Sequence, residues 1–280
     1  MKRKSRVIWI IASIVMFSAS IGLILYYLWG NGYLKKAKTA PASPTYVEFT
    51  YPSIDEEDIA ALTNQTTEPK EQQESSVPSV PEETAPAYEC PVDFDELQHA
   101  NPEIIGWLYM SEPQISLPVL RSFTDDTWYL YRDAVGNYAR AGSLFVEHEY
   151  NTFDFSDPVT VIYGHRMNNG SMFGTLQATL SEKDYFDEER LIILFTPQKT
   201  RIYKIFATLP SDSDHILYYN DFNADGVFEA YFDEIFSESG VDVRLIPEAK
   251  PSNGDHVLVL SSCLWGDRSR RYLVFAKEID

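Results

Sequence analysis

Residues 257–277 read VLVLSSCLWGDRSRRYLVFAK. The run Val257, Leu258, Val259, Leu260 is apolar and partly β-branched, the pattern of a strand covered on both faces. Residues 264–269 break that pattern with Gly266 and Asp267, and residues 272–276 resume it. A lone cysteine, Cys263, thus closes one strand, and Arg271 opens the next. A thiolate is a far better nucleophile than a thiol, and nearby cations favour it. Arginine stays protonated, so beside a cysteine it suits holding a carbonyl or an oxyanion rather than acting as a base.

The missing proton carrier lies about a hundred residues upstream. Val159-Thr160-Val161-Ile162-Tyr163 is another β-branched run, and Gly164-His165 places an imidazole at its end. Period-two alternation puts Tyr163 on the face of His165 and Ser261 on the face of Cys263. The other histidines fit less well. His99 falls in a predicted helix, His148 in a polar turn and His215 in an Asp-rich loop. His256 starts the strand that carries Cys263 and so lies roughly 20 Å away from it. Each site residue also has an ordinary reading: a buried small hydrophobe for the cysteine, a surface histidine, and a solvated arginine at a strand start.

Tyr163-Gly164-His165 followed by Met172-Phe173 and Leu176, then Leu260-Ser261-Ser262-Cys263 with Arg271 opening Tyr-Leu-Val-Phe-Ala-Lys, resembles the sortases over residues 92–280. Within that family the chain is most similar to class B, because a helical insertion lies between late strands and a helix precedes the barrel. The resemblance implies a mainly β fold, an eight-stranded sortase-type barrel with an N-terminal helix and a long helix between late strands. It implies a cysteine transpeptidase in which Cys263 is the nucleophile, His165 the proton carrier and Arg271 the ligand of the oxyanion or of the substrate carbonyl, with Ser261 in the substrate site; Tyr163, on the face of His165, is the further candidate for lining the groove, and a satisfied polar residue at the barrel rim is the ordinary reading of both. Arg270 is the alternative to Arg271, since the eight-residue gap after Cys263 is short for the family. The implied substrates are secreted proteins with a C-terminal sorting signal cleaved after Thr, of Asn-Pro-x-Thr type in class B. The implied acceptor is an amine of a cell-wall precursor or of a pilin lysine, in a Gram-positive-type bacterium. No cofactor or metal is expected. A hydrolase without transfer and an inactive barrel with an assembly role are the competing functions.

The chain has 280 residues, 44% of them hydrophobic, room for one sizeable domain with appendages. Its net charge of -19 excludes a nucleic-acid binder, since no basic surface offsets phosphate repulsion. Two cysteines are too few for a disulfide framework, and a Cys90 to Cys263 bridge would consume the nucleophile. Cys90 is read as a spectator.

Residues 1–6 carry Lys2, Arg3, Lys4 and Arg6, a cytoplasmic tail, and residues 7–29 are free of charged side chains. That length crosses a bilayer, with Trp9 near one end and Tyr26, Tyr27 and Trp29 near the other at the interfaces. The expectation is an uncleaved single-pass anchor, N-terminus inside and catalytic domain outside. A signal peptide cleaved near Ser18-Ala19-Ser20 is the alternative. Residues 30–91, rich in Pro, Thr, Ser, Glu and Gln, read as a disordered acidic spacer, with a short helix at 54–62.

The catalytic domain, 92–280, opens on a helix capped by Asp93 and running through His99. Strands are expected at 104–110, 115–120, 142–147, 159–163, 191–195, 202–208, 241–246, 257–262 and 272–277, numerous and short enough for a closed barrel. Helices are expected at 124–131, 172–180 and 225–239. The last presents Phe228, Phe232, Ile235 and Phe236 at helical spacing, a stripe for packing on the barrel. Residues 211–223 and that helix are the expected groove-lining segments.

Overall fold

The computed structural model describes residues 90–182, 186 and 190–279, together with Pro52, Ile54, Ile59 and Ala60. The tail at 1–6, the anchor at 7–29 and nearly all of the spacer lie outside the described residues. Among the described residues, no helix is long and apolar enough to cross a membrane.

Nine strands run in chain order: β1 (Ile104–Met110), β2 (Ile115–Leu120), β3 (Leu144–Phe145), β4 (Val159–Tyr163), β5 (Leu191–Phe195), β6 (Thr200–Ser211), β7 (Arg244–Leu245), β8 (Val257–Cys263) and β9 (Arg271–Glu278). Their order is β5-β1-β2-β3-β4-β8-β9-β6, and β5 pairs back onto β6, so eight of them close a barrel. Closure leaves no unpaired edge among those eight. β7, only two residues long, rides outside the ring on Ala207 and Thr208 of β6. β6 is long because it serves both neighbours. Its first part pairs with β5, and residues 203–211 pair with β9 across an irregularity between Ile205 and Ala207.

Alternation explains why β8 reads as an unbroken apolar run. Leu258 and Leu260 point into the barrel with Tyr272, Val274 and Ala276 of β9. Val257 and Val259 point outward with Leu273 and Phe275, onto a helix. A strand buried on both faces has no polar side to show. That helix is α4, whose Phe228, Phe232 and Ile235 are its buried face; in chain order it follows α1 (Phe94–Ala100), α2 (Leu176–Leu180) and α3 (Ile216–Tyr219) and spans Val227–Ser237. It is shorter than predicted: the chain turns extended at Glu238 before reaching Gly240.

A third cluster buries Phe94 and Leu97 of α1 against Ile104, Trp107, Leu120, Phe145 and Phe195. The Asp93 carboxylate accepts from Glu96 N–H at 2.9 Å, the predicted cap. Ile54 and Ile59, within the predicted spacer, also pack on this cluster, and Ile59 and Ala60 are helical.

The strand predicted at 241–246 keeps only Arg244–Leu245, and three other predicted segments narrow, each for a local reason. The helix at 124–131 is a 3-10 turn over Trp128–Tyr131, because Asp125 binds the N–H of Thr127 and ends the option of an earlier start. The helix at 172–180 begins only at Leu176, since Met172 sits at φ 55. The strand at 142–147 keeps Leu144–Phe145, because Gly142, at φ 61, belongs to a turn closed by its N–H on Ala139 O at 3.0 Å.

Candidate active site

β4 and β8 run parallel side by side, in a register that opposes Tyr163 to Ser261, and Gly164 N–H adds a bond to Ser261 O at 3.1 Å. Both strands therefore end at the same rim. β9 is antiparallel to β8 with Cys263 opposite Arg271, so it begins there. Gly164 makes the turn off β4 possible: a Cβ there would lie 2.6 Å from both Leu144 and Phe173 side-chain atoms. Only glycine fits, and the next residue, His165, swings over the strand end.

His165 and Cys263 line one open cavity of about 520 Å³, with Tyr131, Arg140, Arg166 and Arg268 among its walls. The two cysteines are both free thiols. The Nε2 of His165 lies 2.9 Å from Leu130 O. A carbonyl can only accept, so that nitrogen carries the proton and Nδ1 is left to exchange one. Tyr131 flanks the imidazole, ring centroids 5.4 Å apart. The Leu130 carbonyl depends on Gly142, where a Cβ would fall 2.4 Å from that oxygen.

Arg271 is a cross-strand neighbour of Cys263 rather than a wall of the cavity. Its Nη1 donates to the carbonyls of Arg268, at 3.4 Å, and Arg270, at 3.3 Å. Of the three arginines that follow Cys263, it is Arg268 that lines the cavity, which sequence spacing alone did not separate from its neighbours. Arg270 is exposed, and its carbonyl accepts from Leu264 N–H at 3.0 Å. His256 stands at the far end of β8, its Nδ1 3.0 Å from Asp157 O, outside the cavity.

Tyr163 and Ser261 sit back along the strands from the rim. The Tyr163 ring stacks on Phe145 at 5.5 Å, and burial and the Glu147 carboxylate push its phenol far above the ordinary range, so it stays protonated. Ser261 is buried. Beside them stands a pair that the sequence did not announce. The Nε2–H of His215 donates to Glu147 Oε1 at 3.0 Å, and the Tyr218 N–H donates to His215 Nδ1 at 3.0 Å, capping α3. Burial raises the Glu147 pKa, and the His215 contact opposes that rise. The pair fastens the 212–223 segment to the barrel next to Tyr163. Its members are far apart in sequence and follow no local period, so only the tertiary fold reveals them.

No family model matches this sequence. Over 171 residues the chain is 31% identical to sortase B of Listeria monocytogenes, spanning 61% of this chain and 67% of that protein. The structure resembles sortase B from Bacillus anthracis in complex with AAEK1, with TM-score 0.58 and 29% identity, over 66% of this chain and 83% of that one. It also resembles a Streptococcus pyogenes class B sortase involved in pilus biogenesis, with TM-score 0.57 and 25% identity, over 67% of this chain and 98% of that one.

Proposed function

This chain belongs to the sortase family, class B, and we propose that it is a membrane-anchored cysteine transpeptidase that cleaves a C-terminal sorting signal after Thr. The observation that carries this reading is the meeting of His165 and Cys263 in one cavity, with the imidazole proton held on Nε2 by Leu130. Nδ1 of His165 takes the Cys263 thiol proton, the thiolate so formed attacks the scissile carbonyl carbon, and the C–N bond breaks as the leaving nitrogen takes that proton back from Nδ1. The product is a thioester. An incoming amine then attacks the same carbon, its proton passes to Nδ1, and the C–S bond breaks to return the thiolate. Arg271, opposite Cys263, supplies donors for the oxyanion of both tetrahedral intermediates after turning from the two carbonyls it now holds. Tyr163 and Ser261 floor the groove for the signal peptide, of Asn-Pro-x-Thr type.

The physiological amine belongs to a cell-wall precursor or a pilin lysine, and the chemistry needs no cofactor. Residues 7–29 form the single-pass anchor with the N-terminus inside, and the spacer at 30–91 carries the extracellular barrel away from the lipid. Incubating the full-length protein with a panel of sorting peptides, with and without an amine, and following intact mass tests this. A thioester adduct that becomes a ligated product with amine, and vanishes in Cys263→Ala, is expected. An adduct retained by Cys263→Ala, or one whose fate ignores amine, would overturn it.

A further inference from the structure

The cavity at Cys263 is lined by three arginines, Arg140, Arg166 and Arg268, and no Asp or Glu lines it among the described residues. None of the three sits in an ion pair among the described residues, whereas Arg190 and Arg201 pair with Glu112 and Glu278. Arg166 is conspicuous. Its Nε is buried with no hydrogen-bond partner, its Nη2 reaches only Asn168 Oδ1 at 3.3 Å, and its guanidinium faces Trp265 at 5.8 Å. This happens on a chain with 42 acidic against 23 basic residues, net -19. The net charge of the molecule repels anions, yet among the described residues three arginines outside any ion pair converge on the cavity around the nucleophile.

The position of these arginines says which substrate they meet. Tyr163 and Ser261 lie back along β4 and β8, while Arg166 and Arg268 lie in the loops that leave the strand ends, past Cys263. An acyl group seated on the strand side leaves the loop side open to the attacking amine. We propose that the cavity walled by Arg140, Arg166 and Arg268 is the acceptor subsite, and that it takes an amine whose own molecule carries a carboxylate or a phosphate. This rests on the transpeptidase reading above. A planar fork of donors grips either anion in two-point fashion. The positive field of the three arginines also disfavours the ammonium form of the bound amine, so the nitrogen arrives with its lone pair free. That pair attacks the thioester carbonyl carbon, the C–N bond forms, the C–S electrons return to Cys263, and the proton goes to Nδ1 of His165.

Two measurements on the full-length protein test this. The first compares Cys263 modification by an anionic sulfonatoethyl methanethiosulfonate and a cationic trimethylammonium one, with Cys90 as internal reference. At low salt the anionic reagent should react with Cys263 about tenfold faster or more, the gap shrinking with added salt and in R140Q/R268Q. The second forms the thioester with a sorting peptide and offers matched acceptors: triglycine against triglycinamide, and phosphoethanolamine against ethanolamine. The anionic member of a pair should show a KM about tenfold lower, a gap lost in R140Q/R268Q, and the two pairs tell carboxylate from phosphate. Equal reactivity of the two reagents, or equal KM within both pairs, overturns the proposal. Failure to form any thioester falls instead on the transpeptidase reading, and the first measurement still reports whether the cavity selects anions.

Discussion

Replacing Gly142 by alanine should cost the enzyme its activity at a distance from the thiol. The added Cβ would lie 2.4 Å from Leu130 O and 2.7 Å from Tyr129 O, both backbone atoms. Reaching ordinary contact requires the turn at Trp128–Tyr131 to retreat by roughly 1 Å. The Leu130 carbonyl is what fixes Nε2 of His165, at 2.9 Å, so a retreat of that size breaks the bond and frees the ring. A misplacement of about 1 Å in a reacting group costs around 100-fold in rate. The φ of 61 at Gly142 adds about 1–2 kcal/mol of backbone strain for any residue with a Cβ, which lowers Tm by a few degrees for a domain of this size. Gly254→Ala is the matched control: its φ is 98, yet a Cβ there meets nothing within 4 Å. The assay is peptide cleavage kinetics beside thermal unfolding for both variants. G142A should lose about 100-fold in kcat/KM while remaining folded at the assay temperature, and G254A should keep its activity with a similar backbone strain. If G142A turns over at the wild-type rate, Leu130 does not position His165.

Arg271→Lys should lower acylation by around 100-fold or more, since an ammonium cannot reproduce the donor fork, whereas Arg270→Lys should change it little; single-turnover cleavage separates them. Phe232→Ala removes the ring that α4 packs against Phe206 and Phe275, at 6.0 and 6.2 Å, and should destabilise the domain by about 3–5 kcal/mol in denaturant unfolding. Glu147→Gln should flatten part of the pH profile of stability. A carboxyl whose folded pKa is raised contributes stability that is present below its unfolded pKa and lost as pH rises through the folded value. The wild type should therefore fall relative to E147Q as pH climbs from the ordinary carboxylate range upward, and parallel unfolding curves across pH would refute it.

The barrel was largely legible in the sequence because its central strands are buried on both faces. β4, β5 and β8 carry almost unbroken apolar runs, and β9 resumes one after Gly266 and Asp267. Gly164-His165 and Cys263 stood out because each follows such a run. Boundaries slipped where a side chain or a positive φ overrode the pattern, as at Asp125, Met172 and Gly142. What the sequence could not rank was the arginines. Arg268, Arg270 and Arg271 fall within four residues of a loop and strand start, and which of them lines the cavity depends on loop geometry, not on spacing. The Glu147–His215 pair was equally hidden, since its two members meet only once the 212–223 segment folds back over the rim.

The parallel pairing of β4 with β8 has a bearing on how the protein comes into being. His165 and Cys263 are separated by about a hundred residues, and neither strand end is defined until the long crossover between them has threaded through β5, β6 and α4. Contacts of such separation form late, after the entropy of closing a long loop has been overcome. A chain whose barrel has not closed holds its thiol apart from its imidazole and from the guanidinium across the strand. Such a chain is chemically quiet. The two groups meet only when the ring shuts, so barrel closure is the step that assembles the site.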